Sequence, residues 1–339
     1  MPAEWEPHDG TWLAWPHRRN DWPGKFGPIR AVYAEIIRAL SRTEDVFVVV
    51  ADRTTRHKAT RLLDAVRADL TRVHFFEFPT NRSWLRDSGP IFVRDEGDRT
   101  IALDWHFNAW AKYDDWQDDD RLPQLIADVR GMPRIQPMDG DDRIVLEGGS
   151  IDVNGNGLLL TTEECLLSDV QQRNPPFDRQ DYEDCFSDWF GIEKTLWLGR
   201  GIAGDDTHGH VDDIARFVNR NTIVAVEETD PADANYAPLQ ENLERLRGFT
   251  DRHDSKLDIV PLPMPRRIDF DDQRLPASYA NFYIADGTVL VPTFNDPADR
   301  VALGLLGELF PDRTVMGIHS VDLVLGLGTL HCLSQQEPA

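Results

Sequence analysis

Two apolar rhythms alternate along this chain. Residues 28–40 place Ile29, Val32, Ile36, Ile37 and Leu40 at helical spacing, and residues 45–51 follow as a compact valine-rich run. The first pattern predicts an amphipathic helix, and the second a strand buried on both faces. The alternation continues with a helix over 53–70, strands over 73–78, 91–94 and 101–107, a short helix over 123–130 and a strand over 158–162. A helix over 178–191 leads into a strand over 195–199. Residues 214–218 and 222–226 predict paired strands, followed by a helix over 237–252, a strand over 257–262 and a proline-bearing loop over 264–276. Asp286-Gly287 predicts a hairpin between 280–285 and 288–292, and the series ends with a helix over 301–310 and a strand over 314–318. Units of two or three strands and one helix thus recur about every 60–70 residues, without the self-similarity that would prove a repeat. No linker interrupts the series, so an α/β fold forming one domain over 1–339 is expected.

At 339 residues and 41% hydrophobic content the chain can bury a large core. No long uninterrupted apolar segment suggests a membrane span, and the acidic start Met1-Pro2-Ala3-Glu4-Trp5-Glu6 leads into no signal-peptide core. The cytoplasm is the expected compartment. A net charge of -23 speaks against nucleic acid or an anionic membrane as partner and favours encounter with a cation. The three cysteines, Cys165, Cys185 and Cys332, are too few and scattered for a disulfide framework, and their odd number leaves at least one free thiol. No glycine-rich phosphate loop offers a nucleotide cofactor a seat.

The chemistry concentrates in 204–213, GDDTHGHVDD, which puts two histidines and four aspartates directly before the apolar run 214–218. Three readings stand open: a metal site of Asp206, His208, His210 and Asp212; a proton-transfer His210 with a cation-binding Asp212; and a solvated acidic turn. Residues 81–90, NRSWLRDSGP, are either a structural turn with an internal ion pair or a binding segment. Glu147, between apolar residues and before two glycines, is either a surface bulge residue or a buried acid with a specific partner. The run Asp118-Asp119-Asp120 reads as a solvated face. Cys165 and Cys185 read as packing residues, whereas Cys332, just beyond a glycine-bearing turn, reads as an exposed thiol.

Taken together, Trp84 and Asp87, Glu147, His210 and Asp212, and Cys332 resemble the agmatine deiminase and bacterial peptidylarginine deiminase family of the guanidine-modifying superfamily. The elements that carry the resemblance are Trp15-Pro16, the WxRDxGP of 84–90, the FNAW of 107–110, the EGG of 147–149, the GHxD of 209–212 and the HCxxQQ of 331–336. They span nearly the whole chain in family order. The chain departs from the family pattern at Trp110-Ala111-Lys112, where relatives often carry WGGK, and at Gly326-Leu327-Gly328, where they often carry three glycines. The second departure puts pocket shape, and hence specificity, in question.

The resemblance implies a pentein-type, five-bladed α/β propeller of ββαβ units around a pseudo-fivefold axis. Its implied chemistry is agmatine hydrolysis to N-carbamoylputrescine and ammonia through an amidino-cysteine, with no metal or organic cofactor. Cys332 would be the nucleophile, His210 the acid and base, Glu147 its orienting partner by a hydrogen bond, and Asp87 and Asp212 the clamps on the guanidinium. Trp84, Trp110, Asp9 and Gly328 are the further expected substrate contacts. The resemblance also implies a homo-oligomer, as is common among relatives. A deiminase acting on a peptide's C-terminal arginine, an amidinotransferase and a catalytically silent propeller that binds cations are the alternatives.

Overall fold

The computed structural model describes residues 1–339. Strand β1 (His8–Ala14), helix α1 (Phe26–Leu40), β2 (Asp45–Val50), α2 (Arg53–Ala65) and β3 (Val73–Glu77) open the chain, with β1, β2 and β3 parallel neighbours. The second unit is β4 (Ile91–Arg94), β5 (Thr100–Leu103), α3 (Leu122–Arg130) and β6 (Arg134–Ile135). The third is β7 (Asp152–Val153), β8 (Leu158–Thr162), α4 (Arg179–Phe190) and β9 (Lys194–Leu198). The fourth is β10 (Ala215–Phe217), β11 (Thr222–Glu227), α5 (Tyr236–Gly248) and β12 (Asp258–Pro263). The fifth is β13 (Tyr283–Ile284), β14 (Thr288–Thr293), α6 (Pro297–Leu309) and β15 (Thr314–His319). In units two to five the first strand pairs antiparallel with the second, and the second pairs parallel with the third across the helix. The first unit obtains its antiparallel strand from the far end of the chain: β16 (Ser334–Pro338) lies against β1, with Leu13 opposite Ser334.

The helices start where side chains can satisfy their first amides. The Asp52 carboxylate accepts from Thr55 N at 2.6 Å, and Asp178 and Asp296 form reciprocal capping boxes with Asp181 and Asp299. Pro297 then occupies the first turn of α6, where its missing N–H costs nothing. Helix α2 stops at Ala65, short of the expected residue 70, because Arg67 turns left-handed at φ 60°. Strand β5 likewise ends at Leu103, and the 264–276 loop contains a small hairpin, Asp269–Phe270 with Gln273–Arg274.

The acidic run at 118–120 is only partly a solvated face. Asp119 is 1% exposed, accepting from the Asn81 and Arg82 amides, and Asp120 holds His106 and Arg143. A buried carboxylate with two amide donors organises a loop, which sequence patterning alone does not reveal. Burial raises the Asp119 carboxyl to about 7, against the pull of those amides.

Five segments lead into the first strands of successive sheets, and they carry the chemistry. Asp87 precedes β4, Glu147 precedes β7, His210 and Asp212 precede β10, Asn281 precedes β13 and Cys332 precedes β16. Equivalent connections thus present side chains far apart in sequence.

The closing strand is held by more than its ladder. Glu337 accepts from Trp12 Nε1 at 2.7 Å and from Arg130 Nε at 2.7 Å. Replacing Glu337 by alanine leaves the buried indole N–H without an acceptor and is expected to cost about 2–3 kcal/mol, lowering the urea midpoint with the slope unchanged. The exposed Glu308→Ala variant should stay within about 0.5 kcal/mol of the parent.

Candidate active site

The helical turn Leu85–Ser88 directs Asp87 inward, where it is 4% exposed. Its Oδ2 accepts from Trp110 Nε1 at 2.9 Å and its Oδ1 from the Gly149 amide at 3.1 Å. Glycine is required at 149 by proximity: a Cβ there would lie 2.5 Å from His210 Nδ1 and 2.9 Å from Asp87 Oδ1. Arg86, beside Asp87 in sequence, pairs with Glu4 at 3.2 Å, so the 81–90 segment holds no internal ion pair between these neighbours.

The 204–213 stretch folds around Asp205, whose carboxylate accepts from the amides of Thr207, Gly209 and His210 at 2.8, 2.7 and 3.2 Å. This turn, with His208 at φ 65°, ends in a 3-10 helix at Val211–Asp213 and is no extended strand. The four residues of the metal reading disperse accordingly. His208 Nε2 meets Ser168 Oγ at 3.0 Å, Asp206 holds Lys112 and Tyr113, and Asp212 holds His331. His210 turns inward to 1% exposure, and neither ring nitrogen has a hydrogen-bond partner.

The expected hydrogen bond between His210 and Glu147 is absent: Nε2 stands 3.9 Å from Oε2. Glu147 is instead gripped by Arg173, whose Nε is 3.0 Å from Oε1 with both side chains fully buried. Asp87 Oδ1 lies 3.8 Å from His210 Nδ1, so the imidazole sits between two carboxylates. The sulfur of Cys165, a fully buried residue, is also close, within 4.8 Å of the donor atoms of Glu147 and His210.

Cys332 lies in the helical turn Leu330–Leu333 and is 6% exposed, against the expectation of an exposed thiol, yet it lines the main cavity. Asn281 Nδ2 donates to its sulfur at 3.0 Å, while Asn281 Oδ1 accepts from Thr329 Oγ1 at 2.8 Å and the His331 amide at 3.1 Å. The thiol is 3.5 Å from Asp212 Oδ2. That oxygen also meets His331 Nδ1 at 2.7 Å, and His331 Nε2 meets Glu4 Oε2 at 2.8 Å. Asp212 Oδ1 is buried with no partner. Glu4 completes the chain by holding Arg216 at 2.9 Å.

The cavity encloses about 420 Å³. Cys332 and Asp87 lie on its wall with Trp84, Trp110, Leu325 and Leu327, whereas His210, Glu147 and Asp212 lie behind that wall. Gly328 backs the thiol: a Cβ there would approach Trp84 at 3.0 Å and Cys332 Sγ at 3.1 Å. Leu327 is left-handed at φ 68°. On the opposite lip Ala109, Trp110 and Ala111 are successively left-handed, at φ 51°, 59° and 52°. For non-glycine residues each such conformation costs on the order of 1 kcal/mol. Gln171 Nε2 pins this turn, donating to Trp110 O at 3.0 Å and Asp206 O at 3.1 Å. Asp9 lies elsewhere: its half-exposed carboxylate pairs with Arg130 beside β16, so the expected substrate contact at Asp9 is corrected.

Burial pushes the Cys332 thiol well above its usual range, and Asp212, Asp213 and Asp87 push in the same direction. The sulfur is therefore a neutral thiol until a cation arrives. Burial alone would lower the His210 pKa, but Asp87, Cys165 and Glu147 outweigh it and hold the imidazolium well above the usual range. Glu147 is kept ionised against burial, chiefly by Arg173, with its pKa drawn down to about 2. For Asp212, too, burial is outweighed, here by His331, and the carboxyl lies below its usual range. Asp87 goes the other way: burial, aided by Asp212 and Glu147, raises it to about 6 although His210 opposes.

The structure thus brings Asp87, Glu147, His210, Asp212, Cys332, Trp84 and Trp110, all expected from the sequence, to one place, and adds Arg173, Asn281, His331 and Glu4 as partners outside that expectation. Asn281 was signalled by its place before the hairpin strand, equivalent to the other site segments. Arg173 sits in a loop with no such signal.

The Asp87 shift has a testable sign. A carboxyl raised in the folded state from 3.8 to about 6 destabilises by nothing below pH 3.8 and by up to about 3 kcal/mol above pH 6. Asp87→Asn should accordingly gain stability relative to the parent as pH rises from 4 to 7, less about 1 kcal/mol for one mismatched amide contact. Urea unfolding at the two pH values measures this, and a difference independent of pH would refute it.

A family model described as Porphyromonas-type peptidyl-arginine deiminase matches residues 1–338. Agmatine deiminase of Ectopseudomonas mendocina is 33% identical, over 100% of this chain and 95% of its own length. Among solved structures, agmatine deiminase of Enterococcus faecalis, described as catalysing its reaction, superposes with a TM-score of 0.90 at 33% identity, covering 100% of this chain and 95% of that one. The agmatine deiminase of C. jejuni with substrate bound gives a TM-score of 0.88 at 28% identity, covering 100% and 96%. With this match along its full length, the chain belongs to the Porphyromonas-type peptidyl-arginine deiminase family.

Proposed function

We propose that this protein is an agmatine deiminase, a C–N hydrolase converting agmatine and water to N-carbamoylputrescine and ammonia. The observation that carries the reading is one cavity bringing Cys332 and Asp87 together between two tryptophans, with His210 and Asp212 directly behind them. Full-length relatives bearing that activity by name give the same answer.

The chemistry follows from the charges. A guanidinium is a poor electrophile and must be held flat while a soft nucleophile approaches its face. Asp87 and the unpartnered Oδ1 of Asp212 hold its N–H groups, and the two tryptophans confine its plane. The arriving cation offsets the acids that keep Cys332 protonated, so the thiol releases its proton to bulk water, and thiolate forms, only with substrate present. Sulfur attacks the central carbon to give a tetrahedral adduct. The His210 imidazolium gives its proton to the departing nitrogen, ammonia leaves, and an amidino-cysteine remains. Neutral His210 then takes a proton from water, whose oxygen adds to the same carbon. The C–S bond breaks, returning the thiol and releasing the carbamoyl product. Glu147 and Arg173 act through His210, keeping the imidazole fixed and its proton available.

The five sheets of like strand order, closed by β16 on β1, support an arrangement of five blades about a pseudo-fivefold axis. Each blade then delivers its leading segment to the centre. No helix is long and apolar enough to cross a membrane.

Ammonia release from agmatine, free arginine and an arginine-terminated peptide tests the substrate, with agmatine preferred at least tenfold in kcat/KM. Cys332→Ala should lower turnover by more than ~10⁴ while still binding agmatine, and Cys185→Ala, in a packing position remote from the cavity, should keep it. Mass spectrometry of acid-quenched enzyme should find the adduct on Cys332. Comparable turnover of the peptide would overturn the substrate reading, and full activity in Cys332→Ala would overturn the mechanism.

A further inference from the structure

We propose that Asp21 is the specificity-determining residue that receives the primary ammonium of the substrate. This deepens the agmatine reading and rests on it. Agmatine carries charge at both ends, a guanidinium at one and a primary ammonium at the other, with four methylenes between. The nearly buried Cys332 and Asp87 claim the first. The cavity also offers apolar wall from Trp84, Leu275 and Leu327 for the methylenes. A second anion on the same wall would complete the match.

Three further aspartates line the cavity: Asp21, Asp206 and Asp271. Asp206 is committed, with one oxygen on Lys112 and the other accepting from Tyr113 Oη at 2.7 Å. Asp271 is exposed in the small hairpin and remains solvated. Asp21 alone combines burial with an open acceptor. Its side chain is 10% exposed, and its Oδ2 is buried without any hydrogen-bond partner. A buried unpartnered carboxylate oxygen, on a residue that lines a cavity, is costly unless a ligand donates to it.

Two guanidinium groups stand near and would repel an ammonium if free, but both are engaged. Arg18 and Arg82 converge on Asp115: Arg18 through Nη1, and Arg82 through Nη2 to the carboxylate at 2.9 Å and Nη1 to the carbonyl at 2.8 Å. Arg18 Nε sits 3.3 Å from Asp21 Oδ1, which fixes the carboxylate while Oδ2 has no partner. With Asp115 occupying them, the two arginines offer little to a substrate carboxylate, and the polar atom left unsatisfied is an acceptor. The arrangement thus favours a decarboxylated arginine over arginine itself.

The experiment compares agmatine with n-butylguanidine, which has the same carbon chain without the amine. The latter is read as a substrate or, if turned over too slowly, as a competitive inhibitor. Asp21→Asn should lower kcat/KM for agmatine at least ~30-fold, chiefly through KM, and leave butylguanidine within about threefold of the parent. Asp98→Asn, at an exposed position that does not line the cavity, should leave both compounds unchanged. Equal losses for the two compounds would assign Asp21 a structural role, and no loss for either would remove it from the subsite; each result overturns the proposal. Failure of the parent enzyme itself to release ammonia from agmatine would instead defeat the substrate reading, independently of any variant.

Discussion

The site depends on charges buried together and balanced at close range. Asp212, His331, Glu4, Arg216 and Arg86 form one ionic chain with every side chain at most 5% exposed. Isolated, each of these groups would be expensive to remove from water; together their Coulomb attraction and hydrogen bonds compensate. Burial would raise the pKa of Glu4, but Arg216, His331 and Arg86 outweigh it and hold the carboxyl well below its usual range. The chain fixes one oxygen of Asp212 and leaves the other without a partner, so the same ions that stabilise the interior orient a carboxylate beside Cys332. Because Glu4 lies near the start of the sequence and His331 near the end, the balance closes only in the assembled molecule.

The left-handed turn at 109–111 shows a second kind of constraint. Three consecutive L-residues adopt a conformation they disfavour, and the compensation comes from neighbours: Gln171 holds the Trp110 carbonyl, and Asp87 holds the indole N–H. Backbone strain here accompanies placement of a tryptophan edge on the cavity-lining Asp87, as strained residues at functional sites tend to do.

Much of the fold was legible because helices and strands differ in apolar period. The runs at 91–94 and 158–162 match β4 and β8 residue for residue, and the hairpin about Asp286-Gly287 is present. Strand β16 was hidden because Ser334, Gln335, Gln336 and Glu337 look like a solvated tail, although all four are buried. Polar side chains with partners far along the chain defeat any reading based on local hydrophobicity. The same cause explains the site. Asp87, Glu147 and His210 stood out by residue type beside glycines, whereas the Arg173 grip on Glu147 joins positions with no local relation. Asp9 failed for the converse reason: an acid near an aromatic segment looks like a ligand, but strand alternation turned it outward to Arg130.

The pairing of β16 with β1 has a consequence for biosynthesis. A chain leaving the ribosome presents the edge of β1 long before its antiparallel partner exists, and the sulfur-bearing turn lies directly ahead of that partner. Cys332 and His331 are set against Asp212 and Asn281 only once β16 has paired with β1. A chain cut short of residue 330 therefore lacks both this strand and the thiol that lines the cavity, and the closing residues decide whether the site is assembled at all.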